Sequence, residues 1–184
     1  GMFQKKPKIK RVILVALAFV VASVLLFGGE MATKRLLERK FMVKAAAIPT
    51  VKDYKTVKKE KGIELTLSLS EVDNLQETVE PLIDDVQEAM KTKVYRVKVK
   101  APSSKRLAEV YYRLSFFLEE ARNSGEYSEL LKQVLALEEE CQGDFRVYIG
   151  EEFLYIQLED EGDSYYSIIP KYSLGINRGK GGEG

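Results

Sequence analysis

The first strong pattern along the chain is unbroken and apolar: Val12 to Phe27 (VILVALAFVVASVLLF) carries no charge, and Gly28 and Gly29 extend the uncharged run. Wound as a helix at about 1.5 Å per residue, this stretch spans roughly 27 Å, close to the ~30 Å hydrocarbon core of a bilayer. A core helix apolar on every face needs a larger protein around it than this one. A cleaved secretory signal places small residues in an A-x-A-like site soon after the apolar run, whereas here Glu30 follows the two glycines and Ala45-Ala46-Ala47 come much later. The segment therefore predicts a transmembrane signal-anchor helix over 12–29, after a basic tail over 1–11 and before a basic juxtamembrane helix and linker over 30–61.

Past Lys61 the period changes. Ile63, Leu65, Leu67 and Leu69 alternate with Glu64, Thr66, Ser68 and Ser70, the period of a strand with one buried face. Leu75, Val79, Leu82, Ile83, Val86 and Met90 then fall at helical spacing, with Asp73 as the expected N-cap and Pro81 either kinking the helix or marking its first turn. A second strand points Tyr95, Val97 and Val99 one way and Arg96, Lys98 and Lys100 the other. Pro102-Ser103-Ser104 opens a helix striped by Leu107, Val110, Tyr111, Leu114, Leu118 and Ala121, which Asn123-Ser124-Gly125 ends. A third helix carries Tyr127, Leu130, Leu131, Val134 and Cys141 and stops at Gly143 as its terminal glycine. Three strands follow, Phe145–Ile149, Phe153–Leu158 and Tyr165–Ile169, joined by turns at Gly150-Glu151 and across the acidic run Glu159 to Asp163. At an offset of 32 residues the two strand–helix units align, Leu75 over Leu107, Leu82 over Leu114 and Ala89 over Ala121, which implies similar packing for both.

The order β-α-β-α-α-β-β-β predicts an α+β domain over 62–170, a two-layer sandwich with a mixed sheet of about five strands and helices on one face. A disordered tail is expected over 171–184.

Charge sharpens this picture. Residues 1–61 hold fifteen of the 29 Lys and Arg residues against four acids, a net charge of +11, and the remainder carries −10. Cations beside an apolar helix suit anionic lipid headgroups, and the acidic remainder argues against nucleic acid. Lys5, Lys6, Lys8, Lys10 and Arg11 before the helix are matched in number by Lys34, Arg35, Arg39, Lys40 and Lys44 after it. The near flank, closer and free of acids, predicts a single-pass chain with its N-terminus in the cytoplasm and its domain outside the cell membrane, a cytoplasmic domain being the alternative.

The sequence has no His and a single Cys, Cys141. That removes the commonest near-neutral acid–base group, most triads and metal sites built on several thiolates. Asp160-Glu161-Gly162-Asp163 and Glu138-Glu139-Glu140 lack the spacing of a calcium loop. No catalytic, metal or cofactor site is therefore expected. Pleat alternation instead places Arg96, Lys98 and Lys100 on an open sheet face with Tyr148, Tyr155 and Tyr165 or Tyr166, cations beside aromatics in a partner-binding arrangement. Tyr112 and Phe116, off the main stripe of their helix, are expected to pack against the third helix. The reading is a non-catalytic, membrane-anchored interaction or assembly module of a bacterial envelope system, binding a protein partner or itself. The alternative is an extracytoplasmic ligand-binding or sensing domain.

Overall fold

Alternation makes the strand at Ile63–Leu69 and also decides where it sits. The computed structural model describes Ile48 and residues 50–172. The expected membrane helix over 12–29, the basic tail over 1–11, the juxtamembrane residues 30–47 and the terminal residues 173–184 lie outside the described residues. Among the described residues no helix is long and apolar enough to cross a membrane.

The elements run β1 (Val51–Lys59), β2 (Gly62–Leu69), α1 (Leu75–Met90), β3 (Val94–Lys100), α2 (Lys105–Ser124), α3 (Ser128–Cys141), β4 (Asp144–Ile149), β5 (Phe153–Asp160) and β6 (Asp163–Pro170). The class is α+β, with two three-stranded sheets, β1-β2-β3 and β4-β5-β6, in place of one five-stranded sheet. In the first, β1 and β2 form an antiparallel hairpin and β2 pairs parallel with β3 through the α1 crossover. The second is the expected antiparallel meander. β3 runs alongside β6 without joining it in a ladder.

β1 occupies a stretch that the sequence presents as charged linker. Lys52, Lys55, Lys58 and Lys59 are all exposed on it, because an outer strand needs only one paired edge and lysines are tolerated there. The strand exists because β2, with Ile63, Leu65 and Leu67 at 0% exposure, is a central strand needing a neighbour on each side.

The helices start and stop for local reasons. In α1 the cap is Asn74, one residue past the expected Asp73; its side chain accepts from Glu77 N at 3.1 Å, while the amide of Leu75 is taken by Gln157. The helix runs through Pro81, which faces solvent in its interior. Ser104 caps α2, its Oγ accepting from Leu107 N at 3.1 Å, and Gly125 at φ 79° closes it. At the end of α3 the left-handed residue is Gln142 (φ 53°), not Gly143. Glycine is needed at 143 for space, because a Cβ there would lie 2.4 Å from the Phe145 ring and 2.8 Å from the Glu159 carbonyl.

The helices cover both faces of the meander rather than one. Leu154, Ile156 and Leu158 of β5 join Leu107, Leu114 and Leu118 of α2 and Leu130, Val134 and Leu137 of α3 in one core. The alternate residues Phe153, Tyr155 and Gln157 are also buried, and they face α1. Hence α1 and α2 pack on opposite sides of β5, against the similar packing implied by their aligned stripes. Gln157 is 3% exposed: its Oε1 accepts from Leu75 N at 2.9 Å, and its Nε2 donates to Val72 O at 3.0 Å and to Glu159 Oε1 at 2.8 Å. Tyr166 Oη accepts from Val72 N at 3.2 Å beside it. Just past β6, Lys171 N donates to Glu152 O at 2.8 Å.

Two substitutions separate the two roles at the end of α3. Gly143→Ala is expected to destabilise by about 1–3 kcal/mol through overpacking against Phe145, while Gln142→Gly stabilises by roughly 0.5–1 kcal/mol by relieving the left-handed residue; denaturant midpoints measure both. Gln157→Leu leaves the Leu75 amide and Val72 carbonyl buried without a partner and is expected to cost about 1–3 kcal/mol or more in the same assay.

Candidate functional site

The six residues expected to share one face are distributed over three places. Cross-strand partners point to the same side of a sheet, so the register groups Glu64 with Val57 and Arg96, Thr66 with Lys55 and Lys98, and Ser68 with Asp53 and Lys100. Arg96, Lys98 and Lys100 are therefore together and exposed on the side of the first sheet that turns away from its Ile63, Leu65 and Leu67 core. Their anchor is Glu64, held by Lys98 Nζ at 2.9 Å and by Arg96 Nη1 at 3.8 Å. The Lys98 hydrogen bond, with Lys59 and Arg96 nearby, keeps the Glu64 carboxyl below the usual range.

The tyrosines are elsewhere. Tyr155, 1% exposed, is buried on the side of β5 that faces α1. Tyr165 lies against the opposite core, its ring 4.9 Å from that of Tyr111. Tyr148 is half-buried on β4, opposite Tyr155. The alternation on which the shared face was argued holds, but each tyrosine belongs to a sheet whose two faces are both occupied.

A different surface combines chemistry that the stripes did not reveal. Between α3 and β4 lies an apolar groove of about 670 Å³, lined by Leu131, Val134, Leu135, Val147, Tyr148 and Ile149 among others. Leu131 (58%), Leu135 (54%) and Ile149 (45%) are exposed along it. Leu131 was expected in the buried stripe; that place belongs to Leu137, and Leu131 is turned to the flank. The groove borders an outer strand: β4 pairs only with β5 among the described residues. Gly150 N donates to Phe153 O at 2.9 Å. Counting back along the register, the backbones of Tyr148, Arg146 and Asp144 turn toward β5, and those of Phe145, Val147 and Ile149 turn outward.

The acidic runs have structural partners. Arg113 holds Glu140 through two bonds of 2.8 and 2.9 Å, tying α2 to the end of α3, and this offsets the unfavourable placement of the Glu run at a helix C-terminus. Arg106 pairs with Asp160 at 3.0 Å and donates to the Cys141 carbonyl, supplying a cation where the α3 dipole needs one. Among the described residues, no three carboxylate or thiol groups converge closely enough to hold a metal ion. Tyr112 and Phe116 do not pack on α3: they meet edge-to-face at 5.3 Å on its neighbour α2 and are 58% and 61% exposed.

Burial pushes the phenols of Tyr155, Tyr165 and Tyr166 up from their ordinary value. In the unfolded chain they ionise near pH 10. The stability they contribute is therefore fully present below about pH 10 and is lost as pH rises toward the folded values. Denaturant midpoints followed from about pH 9 to about pH 12 should fall, with tyrosinate absorbance appearing together with unfolding; Tyr155→Phe should make the fall shallower. In comparisons with known proteins, the chain matches no family model, no curated protein and no solved structure.

Proposed function

We propose that the chain is a non-catalytic, membrane-anchored interaction or assembly module of a bacterial envelope system. The apolar segment Val12 to Phe27 tethers it to the cell membrane with the N-terminus in the cytoplasm, and the α+β body binds a protein partner or another copy outside. The observation that supports this most is the groove between α3 and β4. Its exposed leucines lie beside a strand edge whose outward N–H and C=O groups have no partner among the described residues, the combination by which an added strand gains both main-chain hydrogen bonds and apolar contact. A tether also raises local concentration, so that a modest surface is enough. The groove's volume falls in the range of small-ligand pockets, which favours the sensing-domain alternative, but a strand edge offers that reading no role.

A photoreactive residue in place of Leu131 in the full chain, irradiated in native membranes, is expected to give discrete protein adducts that the same residue in place of Glu109 on the outer face of α2 does not. Absence of adducts at position 131, or recovery of the intact chain from the soluble fraction, would sink the reading.

A further inference from the structure

Charge on the body is sorted by surface. Residues 62–93 and 101–172 together carry nine Lys and Arg against 23 Asp and Glu, yet the open side of the first sheet has the opposite sign. The register places five cations there, Lys55 and Lys59 from β1 and Arg96, Lys98 and Lys100 from β3. Two acids share that side, Asp53 and Glu64. Glu64 is engaged by Lys98 and Arg96, and the Asp53 carboxylate accepts from the amide of Tyr54. Lys55, Lys59 and Lys100 are exposed and have no ion pair among the described residues.

Little else on this side offers a grip. Its Val57 and Tyr95 are half-buried, with the Arg96 guanidinium 5.8 Å from the Tyr95 ring. The exposed large apolar side chains of the described body all lie outside β1–β3. A protein interface is held by aromatic or aliphatic anchors sunk in pockets, and single-stranded nucleic acid by exposed rings on which bases stack. Long, flexible cations around hydroxyls suit instead a fluid layer of anionic phosphates, which demands no shape complementarity. Each Lys or Arg near such a layer is worth about fivefold in partition, so the three unpaired lysines together are worth roughly a hundredfold. The Debye length at physiological salt is about 8 Å, so acids on the far side of the body do not cancel this attraction. The chain also enters the body through this sheet, with 23 residues between Phe27 at the end of the apolar run and Val51 at the start of β1.

We propose that the open side of the first sheet docks on anionic lipid headgroups and lays the body against the bilayer with its more acidic surfaces turned to water. The inference rests on the membrane-anchored part of the functional reading. The tether supplies the bilayer and the local concentration at which a purely electrostatic contact persists. Lys55, Thr66 and Lys98 are cross-strand neighbours at the centre of the docking surface.

The test uses the full chain with Cys141→Ser and Thr66→Cys, a bimane on its single thiol, reconstituted in vesicles of phosphatidylcholine with or without one-third phosphatidylglycerol, both doped with lipid bearing a headgroup nitroxide. Quenching of the position-66 label is expected to be about threefold stronger in the anionic vesicles and to fall to the neutral level at about 1 M salt, where the Debye length is about 3 Å. A label introduced instead by Glu109→Cys, on the outer face of α2, shows no such difference. Lys55→Gln with Lys100→Gln, which leaves the Glu64 ion pairs in place, abolishes the difference, and Lys55→Arg with Lys100→Arg keeps it. Equal quenching at position 66 in both vesicles, equal quenching at positions 66 and 109, or a difference that survives the glutamine pair overturns the docking. So does a position-66 label shielded in native membranes but unquenched in anionic vesicles, which assigns this side to an acidic protein. In each of these results the chain still floats with the vesicles, whereas failure to float removes the tether and the docking together.

Discussion

A single buried amide fixes where the first sheet and α1 sit relative to the meander. Gln157 projects from β5 into a layer otherwise made of Phe153, Tyr155 and the apolar stripe of α1, where a polar group must find partners. Those it finds are the Leu75 amide, an orphan donor at the start of α1, and the Val72 carbonyl just ahead of it. Apolar burial alone would let α1 slide along β5 at small cost. The amide does not, because a shift of one residue would leave several buried groups unsatisfied at once. Tyr166 reinforces the lock from β6 through Val72 N. With α1 held there, one side of the meander is closed by α1 and the other by α2 and α3.

That double coverage explains which surfaces remain. The meander's only unoccupied boundary among the described residues is its β4 edge, and the first sheet keeps one uncovered side around Glu64. Charge is divided in the same way. Residues 51–61 and 94–100 hold eight cations and two acids, while the remainder of the described body is strongly acidic. The uncovered side of the first sheet is therefore net basic, whereas on the β4 strand the one cation, Arg146, is paired with Asp144.

Elements with a regular apolar period were legible in the sequence. β2, the stripes of α1 and α2, and the three strands of the meander follow from period alone, and the parallel pairing of β2 with β3 follows from the crossover. Three things were not. β1 was hidden because an outer strand guarded by lysines has the composition of a linker. The third layer was hidden because Tyr155, Gln157 and Tyr166 are polar enough to pass for a solvated side, although all three are buried; what buries them is a helix more than sixty residues earlier in the chain. The groove was hidden because Leu130, Leu131, Val134, Leu135 and Leu137 make a stripe wider than one contact can cover. That excess width was the available signal. Arg96, Lys98 and Lys100 are exposed together, on a sheet separate from the tyrosines.

An edge that pairs readily is a hazard unless pairing stops. A free strand edge with apolar flanks templates the next chain, and if both edges of a body are available the addition continues. Here only one of the two outer strands is open in this way, because β4 is flanked by exposed leucines. The other outer strand is β1, whose exposed Lys52, Lys55, Lys58 and Lys59 repel a second set of the same charges. Edge-to-edge growth is thus checked by the asymmetry between one guarded strand and one unguarded one. The lysines that made β1 read as a linker are the feature that prevents addition at that end of the body.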